Sequence, residues 1–283
     1  MISTTRIFLC SIIFCSLLHA QEHWVFLDNG HVRIGINKDA GGSVGWFSKS
    51  RSGENLLNSF DHGRYVQQSY YGDADGSDWN GQAWRYNPVQ GGSWKGVPSE
   101  IKAQEEKPQS LYTKTRPRQW ASGEWVDEMV MEQWITLDSG LARLRYRMTY
   151  SGTLEHKPRH QELPAVFVNP RFDTLIFVEK DSEQLVKKQP GKKNEYFHTK
   201  EPWAAWVDAS QQGVGVFFPH AKFLTAYRVR DSGIGDVSYL SPLQTFSLKP
   251  KLVFEYETVL AIGSLEQIRS VFATLQKQQA TKP

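Results

Sequence analysis

Cysteine is nearly missing from this chain. Its 283 residues hold 2, Cys10 and Cys15, and both fall inside the run Ile7 to Leu18. That run follows Arg6 and ends at His19-Ala20-Gln21. A basic start, a short apolar core and a small residue at the cut form a secretory signal peptide, too short to span a bilayer. Cleavage after Ala20 leaves residues 21–283 as one expected domain, secreted or periplasmic and free of cysteine. Disulfides, thiolate nucleophiles and cysteine metal sites are thereby excluded from the mature chain. A lipid anchor at Cys15 is disfavoured, because Ile12-Ile13-Phe14 lacks the small residues such a signal needs.

An excess of one charge is also missing, since 33 Lys+Arg stand against 30 Asp+Glu. Proteins that bind nucleic acid or lie on membranes usually carry a strong basic surplus, so neither partner is expected. With 40% hydrophobic and 22% charged residues the chain is neither disordered nor a multi-span membrane protein. Helical periodicity is scarce too. It is convincing only near the C-terminus, where Ser264-Leu265-Glu266-Gln267 has the form of a capping box and Leu265, Ile268, Phe272 and Leu275 follow at helical spacing.

Alternation with period two is abundant instead. In Leu141 to Tyr150, Ala142, Leu144, Tyr146 and Met148 face one way and Arg143, Arg145 and Arg147 the other, which makes a strand with one buried face. Further strands are expected at 24–27, 43–48, 64–71, 129–137, 163–169, 173–179, 203–208, 213–218, 223–229 and 252–261. The polar stretch 99–118, with Pro108 and Pro117, reads as a linker too short to separate domains. The expected fold is all-β: a large antiparallel two-sheet sandwich, supersandwich or jelly-roll-like, with one C-terminal amphipathic helix.

Aromatic residues are plentiful, at 15 Phe, 11 Tyr and 10 Trp. Trp79, Trp84, Trp94, Trp120 and Trp125 fall in the irregular region 72–128, whereas Trp24, Trp46, Trp134, Trp203 and Trp206 lie in strand-like runs suited to packing. Loop tryptophans beside polar groups suit sugars, whose C–H faces stack on flat rings; their alternative use is ballast for long loops. The densest such region is 60–94. Asp61, His62 and Arg64 cluster at the entry to a strand on which Tyr65, Gln67, Ser69 and Tyr71 share one face, and Trp79, Trp84, Asn87 and Gln90 follow. Fixed amides, hydroxyls and phenols beside rings are what sugar hydroxyls require. Each member also has a plain structural use: Asp61–Arg64 as a turn-closing ion pair, His62 as a solvated loop residue, and Gln67 and Ser69 as partners for backbone groups.

A second cluster precedes Asn169. His160 and Glu162 are two apart, so an extended chain points both one way, and a carboxylate beside an imidazole suits general acid–base work as well as a surface ion pair. The acidic loop Asp73 to Asp78 has oxygen ligands at alternate places, but an EF-hand loop needs a glutamate where Trp84 stands. The loop is read as a solvated turn, and neither a metal nor another cofactor is expected.

Leu27-Asp28-Asn29-Gly30, Gly41-Gly42-Ser43, Asn55-Leu56-Leu57-Asn58, Asp61-His62-Gly63-Arg64-Tyr65-Val66-Gln67 and Asn87-Pro88-Val89-Gln90-Gly91-Gly92 together resemble a family of secreted bacterial β-sandwich proteins. Glu132-Gln133-Trp134-Ile135-Thr136-Leu137 and Gln161-Glu162-Leu163-Pro164-Ala165-Val166 look like later landmarks of it. The glycine-rich turn followed by Asn-Leu-Leu-Asn is similar to galactose-mutarotase-like supersandwiches, a fold that epimerases, lyases and glycoside hydrolases share. The resemblance implies the fold and leaves the reaction open.

Three functions compete on the residues. A polysaccharide lyase acting on an acidic glycan by β-elimination needs a His or Tyr base, a leaving-group acid and Arg, Gln or Asn to neutralise a uronate; His62, Arg64, Gln67, Tyr71, His160 and Glu162 supply these. A glycoside hydrolase needs two carboxyl groups, best Asp61 and Glu162, about 5–5.5 Å apart for retention or about 6.5–9.5 Å for inversion. A glycan-binding module needs only the aromatic groove. In every case Asp61, Trp79, Trp84, Asn87, Gln90 and Asn169 are the expected substrate-binding residues, the partner is a polysaccharide or oligosaccharide, and the two clusters are expected to converge in one concave site.

Overall fold

The computed structural model describes residues 23–281. The expected signal segment, with Cys10 and Cys15, lies outside the described residues. Two large antiparallel sheets face each other. The first has seven strands, in the order Arg118–Gln119, Pro88–Val89, Gln67–Ser69, Arg159–Val168, Val237–Phe246, Phe223–Val229 and Glu195–His198. The second has nine, running from Leu185–Lys188 through Thr174–Val178, Trp203–Val207, Gln212–Phe217, Leu252–Ser264, Leu141–Tyr150, Met129–Asp138 and Ser110–Arg116 to Glu100–Lys107. A three-stranded meander, Trp24–Asp28, Val32–Asn37 and Ser43–Lys49, extends the fold at its amino end.

The alternation in Leu141–Tyr150 is realised in space. Ala142, Leu144, Tyr146 and Met148 have no exposed surface and meet Val66, Tyr70, Leu163 and Leu240 of the seven-stranded sheet between the layers. Outside, Arg143 and Arg147 pair with Glu257 and Glu255 of the neighbouring strand. The C-terminal helix, Leu265–Ala280, lies on another part of that outer face. It buries Ile268, Phe272 and Leu275 against Ile176, Trp203, Phe217 and Val259. Its capping box forms, with Ser264 accepting from the Gln267 amide and the Gln267 side chain accepting from the Ser264 amide.

Three expectations need correction. Residues 99–118 are no linker: Glu100–Lys107 and Ser110–Arg116 form a hairpin at the edge of the large sheet. Its inward face is Leu111, Thr113 and Thr115, all nearly or fully buried, and threonine hides such a face from a hydrophobicity pattern. The strand expected at 64–71 shrinks to Gln67–Ser69. Asp61 to Arg64 close a turn, the Arg64 amide donating to the Asp61 carbonyl at 2.9 Å. The tryptophans divide less cleanly than their sequence positions imply. Trp203 and Trp206 are core, but Trp24 and Trp46 remain half-buried beside Phe26, and Trp134 is covered by Tyr112 and Arg145.

Candidate functional site

The outer face of the seven-stranded sheet carries a cleft made of two adjoining cavities, of ≈ 500 and ≈ 390 Å³. Its floor follows from strand alternation. In the stretch after Tyr65, Val66, Gln68 and Tyr70 point into the sandwich core and are fully buried, so Gln67, Ser69 and Tyr71 are left facing the cleft. On the adjacent strand Gln161 is buried, and its side-chain oxygen accepts from the Tyr71 amide at 2.6 Å. His160 and Glu162, on either side of it, face the cleft.

Glu162 is the chemical centre. The Tyr239 hydroxyl donates to it in a short hydrogen bond, and Ser69 and Tyr71 also reach the carboxyl. Burial raises its pKa above the ordinary carboxylate value, and the three hydroxyl donors offset only part of that. Burial, reinforced by the Glu162 charge, also holds the phenols of Tyr71 and Tyr239 well above 10. His160 stands beside this group with Nδ1 2.7 Å from the Thr245 hydroxyl. Tyr196, stacked on Phe223, completes the wall on its side.

The opposite wall is aromatic. Trp79 meets the Trp84 ring at 4.7 Å and the Trp120 ring at 6.2 Å, both edge-on. Asn87 fixes this wall, accepting from Trp84 Nε1 at 3.2 Å while its own amide donates to the Ser69 hydroxyl and the Tyr70 carbonyl. Gly63 makes room for Trp120, since a Cβ there would lie 2.5 Å from the indole. Of the five loop tryptophans, these three line the cleft. Trp94 donates to the Ala121 carbonyl, and Trp125 stacks under Arg116 and Arg118.

At one rim Arg64 faces the Asp61 carboxylate at 3.4 Å and donates to the Gly235 carbonyl. Arg64, Asp61, Gln67, Tyr71, His160, Glu162, Trp79, Trp84 and Asn87 therefore share the two-cavity cleft. Gln67 does so with its polar atoms already engaged: its amide donates to the His62 carbonyl and its oxygen accepts from the Gly91 amide and the Ser43 hydroxyl. It braces the floor.

Three expected site residues lie elsewhere. His62 lines neither cavity. The turn at 61–64 directs its ring toward Asp39 and Ser93, where burial lowers its pKa. Gln90 alternates inward from Val89 and is fully buried, accepting from the Gln68 amide at 3.3 Å. Asn169 ends its strand and closes a turn, accepting from the Arg171 amide. In the acidic loop, Asp73 accepts from the Lys157 amide and contacts Arg159, and Asp75 binds Ser77 and Gln119.

The cleft is also lined by residues that the sequence did not single out, Arg85, Arg159, Lys192, Asn194 and Tyr227, and buried Tyr239 supports it through Glu162. Tyr239 escaped because its strand, Val237–Phe246, is buried on both faces through Leu243, with Ser238 and Ser241 among the buried residues, so it shows no apolar–polar alternation. Lys192 and Asn194 arrive on a loop whose path no local pattern reveals.

No family model matches the chain, and no curated protein matches it. Solved structures do. A galactose mutarotase-like protein from Lactobacillus casei superposes with a TM-score of 0.61 at 8% identity, over 84% of this chain and 99% of that one. One from Clostridium acetobutylicum gives 0.55 at 10% identity, over 86% and 95%. The galactosidase domain of an α-galactosidase–sucrose kinase gives 0.53 at 8% identity, over 87% of this chain and 41% of that one. At such identities the likeness establishes the fold.

Proposed function

We propose that this chain is a carbohydrate-active enzyme that cleaves an acidic polysaccharide by β-elimination in the cleft over the seven-stranded sheet. One observation carries the reading. A carboxyl group whose ionisation burial disfavours, Glu162, lies with Tyr71 and His160 in a cleft where Arg64, Arg85, Arg159 and Lys192 outnumber the carboxyl groups Asp61 and Glu162. An ionised glutamate there would repel a uronate, whereas a neutral one donates a hydrogen bond to it.

The residues then take distinct parts. His160, its Nδ1 engaged by Thr245, is the base that removes the proton beside the uronate carboxyl group. Those electrons become a carbon–carbon double bond as the glycosidic C–O bond breaks. Tyr71, whose phenol stays protonated at neutral pH, delivers its proton to the departing oxygen. Glu162 and the arginines hold the carboxylate as charge builds on it, and Trp79, Trp84 and Trp120 stack the neighbouring sugar. The likeness to mutarotase-like proteins and to a galactosidase domain supports a sugar substrate. Export through the segment ending at Ala20 fits a polymeric substrate met outside the cytoplasm.

A hydrolase is the second reading, favoured by the presence of Asp61 and Glu162 in one cavity. Incubation with a panel of neutral and uronate polysaccharides separates the two. The lyase yields an unsaturated uronate absorbing in the ultraviolet, the hydrolase yields reducing ends without that band, and a binding module yields retention without product. His160→Ala is expected to cut lyase turnover by about 10²–10⁴-fold while the protein stays folded; an unchanged rate removes His160 as the base.

A further inference from the structure

The two cavities of the cleft differ in chemistry. Tyr71, Trp84, Glu162 and Asn194 border both and form the boundary between them. Each cavity has the volume of a small-ligand site, about 300–1,000 Å³, so the pair suits a chain of sugars that crosses Glu162 better than a single ring. In the larger cavity the rings of Trp79 and Trp120 supply stacking area, and the arginine, Arg64, is matched by Asp61 at 3.4 Å.

The smaller cavity has no such match. Among the described residues Glu162 is the one carboxyl group on its wall, and burial disfavours its charge. Arg85 has no carboxylate partner among the described residues; its guanidinium lies 5.2 Å from the Trp84 ring centre. Arg159 touches Asp73 through Nη2 at 3.3 Å, and its side chain stays 39% exposed. Two half-buried guanidinium groups, one of them without a carboxylate partner, on a cavity edged by hydroxyl and amide side chains (Thr225, Thr245, Asn194) make an incomplete anion site.

We infer that the smaller cavity is a carboxylate subsite: Arg85 and Arg159 hold the carboxylate of a uronate unit there, while the adjoining unit stacks in the tryptophan cavity. The inference rests on the proposal that the cleft takes an acidic glycan, and it deepens that proposal by fixing the direction of binding. The uronate lies on the His160 side, within reach of the base, and the smallest full ligand is a disaccharide. Arg85 becomes the residue that separates acidic from neutral glycans. A planar guanidinium offers the carboxylate two parallel donors, which a lysine cannot copy.

Calorimetric binding of matched trisaccharides tests this without any need for turnover. The probes are trigalacturonate with galactotriose, and trimannuronate with mannotriose, against the full protein and its Arg85→Ala, Arg85→Lys and Lys192→Ala variants. At least one uronate trimer is expected to bind more tightly than its neutral partner. Arg85→Ala should weaken that uronate about ten-fold or more and change the neutral trimer less than two-fold. Arg85→Lys should recover part of the loss, and Lys192→Ala should keep the discrimination. The subsite is overturned if no uronate outbinds its neutral partner, if Arg85→Ala weakens both alike or neither, or if Lys192→Ala alone removes the preference. Arg85-dependent uronate binding with no product of any kind would remove the lyase and leave the subsite. Unsaturated product made with Arg85-independent affinity would do the reverse.

Discussion

At the scale of single residues the decisive question is which protonation state of Glu162 works. Tyr239, Ser69 and Tyr71 all donate toward its carboxyl and favour the charged form, yet burial outweighs them and raises its pKa. If the neutral acid holds the uronate, activity declines as the pH climbs through this raised pKa, because ionisation puts a negative charge against the substrate's own. Glu162→Gln keeps a donor and cannot ionise. It is therefore expected to retain activity within about ten-fold of the wild type and to lose that decline with rising pH. In the hydrolase the same change removes a general acid and lowers turnover by about 10²–10⁴-fold across all pH. A pH–rate profile of both proteins distinguishes the two outcomes. The pairing of His160 with Glu162 was legible because two residues in an extended strand share a face. Arg85 was not, since nothing local tells that it and Arg159 border one cavity. His62 failed for a different reason: grouping it with Asp61 and Arg64 at the entry to a strand ignored the turn that the Asp61 side chain stabilises by accepting from the Gly63 amide at 2.9 Å, and that turn sends the ring away from the cleft.

Elements declare themselves in sequence when their signals are local. The C-terminal helix begins where Ser264 and Gln267 satisfy each other's backbone amides, and its apolar stripe at 268, 272 and 275 is the face that becomes buried. Gly215 on the sheet lets that face come close, since a Cβ there would press on the Ile268 and Phe272 side chains. Ser264→Ala is expected to cost about 0.5–2 kcal/mol, read as a fall in the urea midpoint at unchanged slope. A helix docked only through its apolar stripe, with a cap that contributes nothing, would leave the midpoint where it was. The hairpin at 100–116 shows the limit of such reading. Thr113 and Thr115 are buried at 1% and 0% exposure, and Thr115 donates to the Gly41 carbonyl at 2.7 Å. Its inward face is thus polar by composition yet buried, with the Thr115 hydroxyl satisfied by a residue 74 positions away, and no local pattern shows that.

On the scale of the whole molecule, the sandwich depends on what crosses between its sheets. His220 follows the strand Gln212–Phe217 of the nine-stranded sheet and precedes Phe223–Val229 of the seven-stranded one. Its ring Nε2 lies 3.0 Å from the Leu163 carbonyl in the seven-stranded sheet, and Nδ1 lies 3.2 Å from the Glu257 carbonyl in the nine-stranded one. A neutral imidazole can donate to one of these oxygens, and an imidazolium to both, but burial wins and pushes the pKa down to about 4. The sign of the consequence follows. Between its ordinary value of 6.5 and about 4 the unfolded chain binds a proton that the native ring refuses, so the stability His220 contributes is full above 6.5 and is lost as the pH falls toward 4. His62 and His156, whose pKa values burial also lowers, act in the same direction, while the raised Glu162 acts in the opposite one. Comparison with His220→Gln cancels these common contributions. The variant keeps an amide donor for one carbonyl but cannot titrate, so it should be less stable than the wild type at pH 8, with the gap narrowing as the pH drops from 6.5 to 4. Denaturant midpoints taken across that interval measure the gap directly. Parallel curves would mean that the ring bridges the sheets without coupling their union to pH.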